Sequence, residues 1–324
     1  MQNSMKRAGK FVAILLMLLA GGMPAPLAAA ASTPAADTAL FWALSRDGRP
    51  AGYLLGTIHS EDPRVLDFSE PFIERLGANA VFAMEMVPDL PTLTRLTEYM
   101  QYQDGTTLES QIGAVRLARL RAALAGYSVP ADWIAHMKVW AAVMTLSVPP
   151  PQTGFFMDFS LSLRAAGAGL KVVGLETLEE QLAFLEDMPL VQQLALLDQA
   201  LDEYHRVDEV HDQMVNSYLA GDLGALVEQT EEQLKEIDPA ARDYFVAQGI
   251  DARNHRMLAA LLPHFGSGPV FVAVGALHLP GASGLIAGLR SAGFELTPLP
   301  LPFSASQDRG ETEQDGQHET GDAP

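Results

Sequence analysis

The sequence predicts an α/β protein: a central mixed, largely parallel sheet flanked by helices, with a large helical insertion in the middle of the chain. Three observations lead there. Strand-like apolar runs gather toward the two ends of the chain, at 41–57, 78–84 and 269–298, with one more at 171–175. Residues 91–166 and 190–262 instead carry apolar side chains at helical spacing. The run at 270–274 is apolar without alternation, the pattern of a strand covered on both faces.

Residues 41–45 alternate and predict a strand; Asp47-Gly48 is a turn signal, and 52–57 is its hairpin partner. A short helix is expected over 71–76 and a buried strand over 78–84, ending at Glu85. Helices follow at 91–102, 108–125 and 131–146, until Pro149-Pro150-Pro151 breaks the pattern. A helix at 156–166 leads through a Gly-rich turn to the strand 171–175. Thr177 and Glu180 have the spacing of a capping box. Long helices are expected at 190–219, 223–235 and 239–262, then a strand at 269–274, a helix at 284–292 and a last strand at 294–298.

These elements define one domain at 39–303, with its helical insertion at about 89–168 and 189–262. Before it, Lys6, Arg7 and Lys10 precede an apolar run at 11–20 and small residues at 28–31. That is the layout of an export signal over residues 1–31, and it predicts a periplasmic or secreted protein without a stable membrane span once the signal is removed. After the domain, 304–324 is a polar, acidic tail expected to be disordered. The chain of 324 residues has a net charge of −19, which repels phosphate backbones and argues against a nucleic-acid partner. It has no cysteine, so disulfides, thiol nucleophiles and Cys-based metal sites are excluded. No P-loop, dinucleotide fingerprint or Gly-x-Ser-x-Gly elbow occurs.

The informative pattern is where the apolar strands stop. Those at 53–58, 81–84, 172–175 and 271–277 run into His59, Glu85, Glu176 and His278. In open α/β sheets ligands bind beyond the carboxyl ends of the strands. If the four strands are parallel neighbours, two imidazoles and two carboxylates reach one crevice, a donor set for a divalent ion of the zinc, manganese or cobalt kind. Each His follows a glycine by three residues, Gly56 and Gly275, where a missing Cβ lets the backbone bend or a neighbour approach. Single histidines and glutamates at strand ends also serve as hydrogen-bonded structural residues, so the paired motif carries more than either half.

Other candidates are Arg253 and Asn254, on one helix with Met257. Arg253 either clamps a carboxylate or makes a surface ion pair. Asp158 either supports the site as a second carboxylate or complements the dipole of its helix. His205 and His211 lie among Asp208, Glu209 and Asp212 and read as a solvated helix face. Trp133 and Trp140 read as helix packing.

The segments Tyr53-Leu54-Leu55-Gly56-Thr57-Ile58-His59, Phe82-Ala83-Met84-Glu85, Gly174-Leu175-Glu176-Thr177 with Gln181, Arg253-Asn254 with Met257, and Val274-Gly275-Ala276-Leu277-His278-Leu279-Pro280-Gly281 occur in that order. Together they resemble the TraB/GumN family over roughly 41–298. The resemblance implies similarity to the Tiki metal-dependent proteases, with their paired Gly-x-x-His motifs and an acidic residue, and to erythromycin-esterase-like and ChaN-like α/β folds. Carried onto this chain, it implies His59, His278 and Glu85 as the metal site; the residues add the expectation that Glu85 is a ligand or general base, Glu176 a further metal ligand or a partner behind the ligands, and Arg253 and Asn254 position substrate or the developing anion. The expected activity is hydrolysis of a peptide or other small substrate. The rival expectations are capture of a secreted peptide without cleavage, and a metal-independent, esterase-like hydrolysis with a histidine base.

Overall fold

The structure is a computed structural model that describes residues 38–235, 237 and 239–303. The expected export signal and acidic tail both lie outside those residues. No helix among the described residues is long and apolar enough to cross a membrane.

Six strands form one sheet: β1 (Phe41–Arg46), β2 (Arg49–Thr57), β3 (Val81–Met84), β4 (Lys171–Gly174), β5 (Val270–Gly275) and β6 (Glu295–Leu299), in the order β4-β3-β5-β2-β1-β6. The four strands β4, β3, β5 and β2 are parallel neighbours, and β1 and β6 close one edge antiparallel. The expected mixed, largely parallel sheet is therefore present. The β1–β2 hairpin turns where Asp47 and Gly48 both take positive φ, at 51° and 70°. β5 lies at the centre and is buried along its whole length, which is why its sequence does not alternate.

Two apolar cores divide the chain. One packs on the sheet, where Phe41, Phe72, Phe82 and Phe271 touch one another around β5. The other is built by helices, among them Val139–Leu146, Leu178–Glu186 and Leu190–Glu203, around Trp140, Leu197 and Phe245. The Trp140 indole N–H donates to Glu186 Oε2 at 2.7 Å, so this ring packs and bonds as a structural residue.

The expected helix 108–125 kinks at Gly113, where φ is 76°, and three other expected long helices are interrupted. The segment 131–146 is two helices, Ala131–His136 and Val139–Leu146. Between them Met137 turns extended and bridges Gln101, and the Lys138 N–H donates to Met100 O at 2.9 Å. Residues 190–219 break at a 3₁₀ turn, Tyr204–Arg206. Residues 239–262 contain a π-helical stretch, Phe245–Asp251, ahead of the helix Ala252–Leu261. Apolar periodicity runs unbroken through all three joints, because both halves bury the same kind of face.

Candidate functional site

The site is built at one end of the four parallel strands. Thr57 of β2 stands beside Gly275 of β5, and Met84 of β3 pairs with Gly174 of β4 on one side and Ala273 of β5 on the other. His59, Glu85, Glu176 and His278 thus all leave the sheet at the same edge. Backbone bonds continue past the strand ends: the Glu176 N–H donates to Glu85 O at 2.8 Å. The glycine of the first motif has a plain cause. A Cβ on Gly56 would lie 2.9 Å from the Ala276 Cα, so the two motif-bearing strand ends touch backbone to backbone only because that position is bare. Gly56→Ala is expected to destabilise the protein by about 1–3 kcal/mol by overpacking; urea denaturation measures it, and an unchanged midpoint would show that the contact can relax.

Arg253 is the centre of the charged cluster. It is fully buried, with Nε and Nη2 donating to Glu176 Oε2 at 2.8 and 2.7 Å and Nη2 to Glu85 Oε2 at 2.6 Å. The half-exposed Arg256 lies 3.4 Å from the other Glu176 oxygen. Glu85 also accepts from the Gly275 N–H at 2.8 Å, through Oε1, and from Gln181 Nε2 at 3.2 Å. Burial, which dominates, and the Glu176 charge hold Glu85 above the usual carboxylate range, against the pull of Arg253. The π-helical stretch that precedes Arg253 brings Gly249 against the Phe184 ring, at 3.3 Å for a notional Cβ. Arg253 and Asn254 are both buried although they are adjacent on the helix.

His278 is fully buried beside this cluster. Its Nδ1 meets Asn254 Oδ1 at 2.5 Å, which fixes the hydrogen on Nδ1 and leaves a lone pair on Nε2. Nε2 makes no hydrogen bond and lies 3.6 Å from Glu85 Oε1. Burial and then the Arg253 charge keep this ring well below the ordinary histidine range, so it stays neutral.

His59 has different surroundings. It is half-buried and stacks on Phe156, with centroids 3.8 Å apart and planes 14° from parallel. Burial brings its pKa down to about 4, the Glu61 charge opposing and His211 adding to the shift. No hydrogen bond or ion pair joins His59 to Glu85, Glu176, Arg253, Asn254 or His278 among the described residues. His211 is half-buried among Asp62, Asp208, Asp212 and Arg64, and burial holds it below the ordinary histidine range. Phe156 opens the helix Met157–Gly167, whose first turn carries Asp158. Thr57 Oγ1 donates to Asp158 Oδ1 at 2.5 Å.

A family model described as TraB/PrgY/gumN matches residues 40–298. This chain belongs to the TraB/PrgY/gumN family. Among curated proteins, it is similar to metalloprotease TIKI1 of Danio rerio, 24% identical over 83% of this chain and 65% of that one. Metalloprotease TIKI2 of the same organism is 24% identical over 78% of this chain and 59% of that one. The chain therefore spans less than two thirds of the length of these relatives. No solved structure matches.

In this family member, then, the fold joins Glu85, Glu176, Arg253, Asn254 and His278 into one buried network and leaves His59 stacked beside it. Among the described residues no group of three or more His, Asp and Glu side chains is arranged to hold a metal ion. Arg253 is a buried clamp on two carboxylates, not a surface pair. Arg256 was not among the expected site residues, and its polar, helical context gave no signal. The hydroxyl of Thr57 was visible only as the middle of a motif.

Proposed function

We propose that this protein is a metal-dependent hydrolase that cleaves a peptide bond at the mouth formed by β2, β5, β3 and β4. One observation carries the reading: the buried Nε2 of His278, with no hydrogen bond, opposite a carboxylate oxygen of Glu85 at 3.6 Å. A buried acceptor left unpaired costs about 1–3 kcal/mol, so this one calls for a partner, and its carboxylate neighbour makes a cation the partner we propose. The TIKI relatives, both named metalloproteases, support the same class.

Two donor atoms suited to a divalent ion lie together here, His278 Nε2 and Glu85 Oε1, 3.6 Å apart. His278 Nε2 and Glu85 would hold it, with His59 from the paired motif proposed as the third donor. An ion so held would supply Lewis acidity for hydrolysis near neutral pH. The chain's own residues do the rest. Asn254 holds the tautomer of His278 through Nδ1. Glu176 has its oxygens on Arg253 and Arg256, so its proposed part is to position Arg253 and not to bind the ion directly. Arg253 balances the two carboxylates and orients Glu85. The half-exposed Arg256 is available to an anionic group of the substrate or to charge that develops in the reaction. We also propose that the protein is exported, on the strength of the signal-like sequence of residues 1–31.

The test is incubation of the full chain, purified without a His-tag, with a peptide mixture in the presence and absence of divalent metal, followed by mass spectrometry. Metal-dependent products support the reading. Stoichiometric binding without products, or cleavage indifferent to metal, overturns it in favour of peptide capture or a histidine-base hydrolase.

A further inference from the structure

The hydrolase reading leaves one proton transfer unassigned. Glu85 is poorly placed for it, because both of its oxygens already accept hydrogen bonds, from Gly275, Arg253 and Gln181. Glu176 is held by two arginines. A third carboxyl group, beside the end of β2, is not so committed. Asp158 Oδ1 accepts from Thr57 Oγ1 at 2.5 Å, while its Oδ2 is buried and makes no hydrogen bond.

Asp158 reaches the cluster across three adjacent strands. Thr57 of β2 stands beside Gly275 of β5, and Gly275 donates its N–H to Glu85 at the end of β3. The Glu85 charge adds to the upward shift that burial imposes on Asp158. From the other side, the buried Tyr218 hydroxyl donates to Gly56 O at 2.6 Å and feels the Asp158 charge. The Asp158 Oδ2, beside the end of β2, and the His278 Nε2, 3.6 Å from Glu85, are thus two buried acceptors that make no hydrogen bond.

We propose that Asp158 is a further catalytic residue of this mouth, the group that moves the proton from the attacking water to the leaving amine. This rests on the hydrolase reading given above. The water oxygen bonds to the carbonyl carbon and its proton passes to Asp158 Oδ2. The C–N bond then breaks with its electron pair on nitrogen, and the nitrogen takes that proton from Oδ2. Asp158 ends as it began, and the products are a carboxylic acid and an amine. A shuttle works best with a pKa near the working pH. Burial, partly offset by the Thr57 hydrogen bond and reinforced by the Glu85 charge, pushes Asp158 up to about 7. The facing titratable groups, Glu85 and Tyr218, both lie above their ordinary values, burial being the main cause for each.

The experiment compares full-length wild type, Asp158→Asn and Thr57→Val. Peptide cleavage is followed from pH 5 to 9, alongside peptide binding, melting temperature and the ¹³C-carboxyl titration of Asp158. Asp158→Asn is expected to lose about 10²–10⁴-fold in kcat, with peptide affinity and melting temperature retained. Thr57→Val removes a hydrogen bond to the charged form, so the Asp158 titration and the acidic limb of the pH profile both move up. Asp158→Asn cleaving within threefold of wild type with the same pH profile overturns the proposal. So does a carboxyl titration in the ordinary Asp range, which is readable even if Asp158→Asn fails to fold. A wild type that cleaves nothing at any pH defeats the hydrolase reading and the shuttle with it, whereas active wild type with an indifferent Asp158 defeats the shuttle alone.

Discussion

Replacing Arg253 by alanine is expected to cost about 3–5 kcal/mol of folding stability, because it strands two carboxylates out of water. The side chain is fully buried and is the shared partner of Glu85 and Glu176. Without it, each carboxylate keeps its desolvation penalty and faces the other's charge. Urea denaturation reads the loss as a shift in midpoint. The deficit should shrink as pH falls. A carboxylate whose folded-state pKa is raised binds its proton more tightly folded than unfolded, so acid favours the folded form. Glu85 already lies on the raised side because of burial, and removal of Arg253 takes away the main opposing pull. A loss below about 1 kcal/mol, or one that is constant with pH, would mean that water enters and solvates the pair.

His278→Ala and His59→Ala are expected to abolish hydrolysis, by about 10³-fold or more, because a Lewis-acid centre contributes several kcal/mol and each 1.4 kcal/mol is tenfold in rate. Chelation should do the same to wild type, and added metal should restore it. The two variants should differ in stability. His278 is fully buried and its replacement leaves a cavity and an unpaired Asn254, whereas the half-buried His59 stands against one ring. Melting curves beside the activity assay separate these effects. If both variants keep their activity, the metal hydrolase reading falls; if only His59→Ala does, the ion is held without the first motif.

Much of the fold was legible because strand signals in this chain are strong. The run at β5 is apolar up to Gly275, and its neighbours β2 and β3 stop at Thr57 and just before Glu85. The helix joints were not legible. Met137 turns extended because Gln101 pairs with it, a partner remote in sequence that periodicity does not register. The capping box of Thr177 and Glu180, by contrast, is a local bond pair and forms where its spacing predicted.

The candidate site divides in the same way. Sequence by itself supplied the family likeness and the ordered set of His59, Glu85, Glu176, Arg253, Asn254 and His278, because residue type and strand-end position are local properties. Only the tertiary structure decided that β4, β3, β5 and β2 lie side by side and parallel, that Arg253 lies buried between two carboxylates, and that His278 meets Asn254 while His59 meets Phe156. It also brought Thr57 to Asp158, a pairing that spans 101 residues. Pairings of that kind depend on strand order and on which faces are buried, and those follow from packing of the whole chain at once, not from any stretch of it.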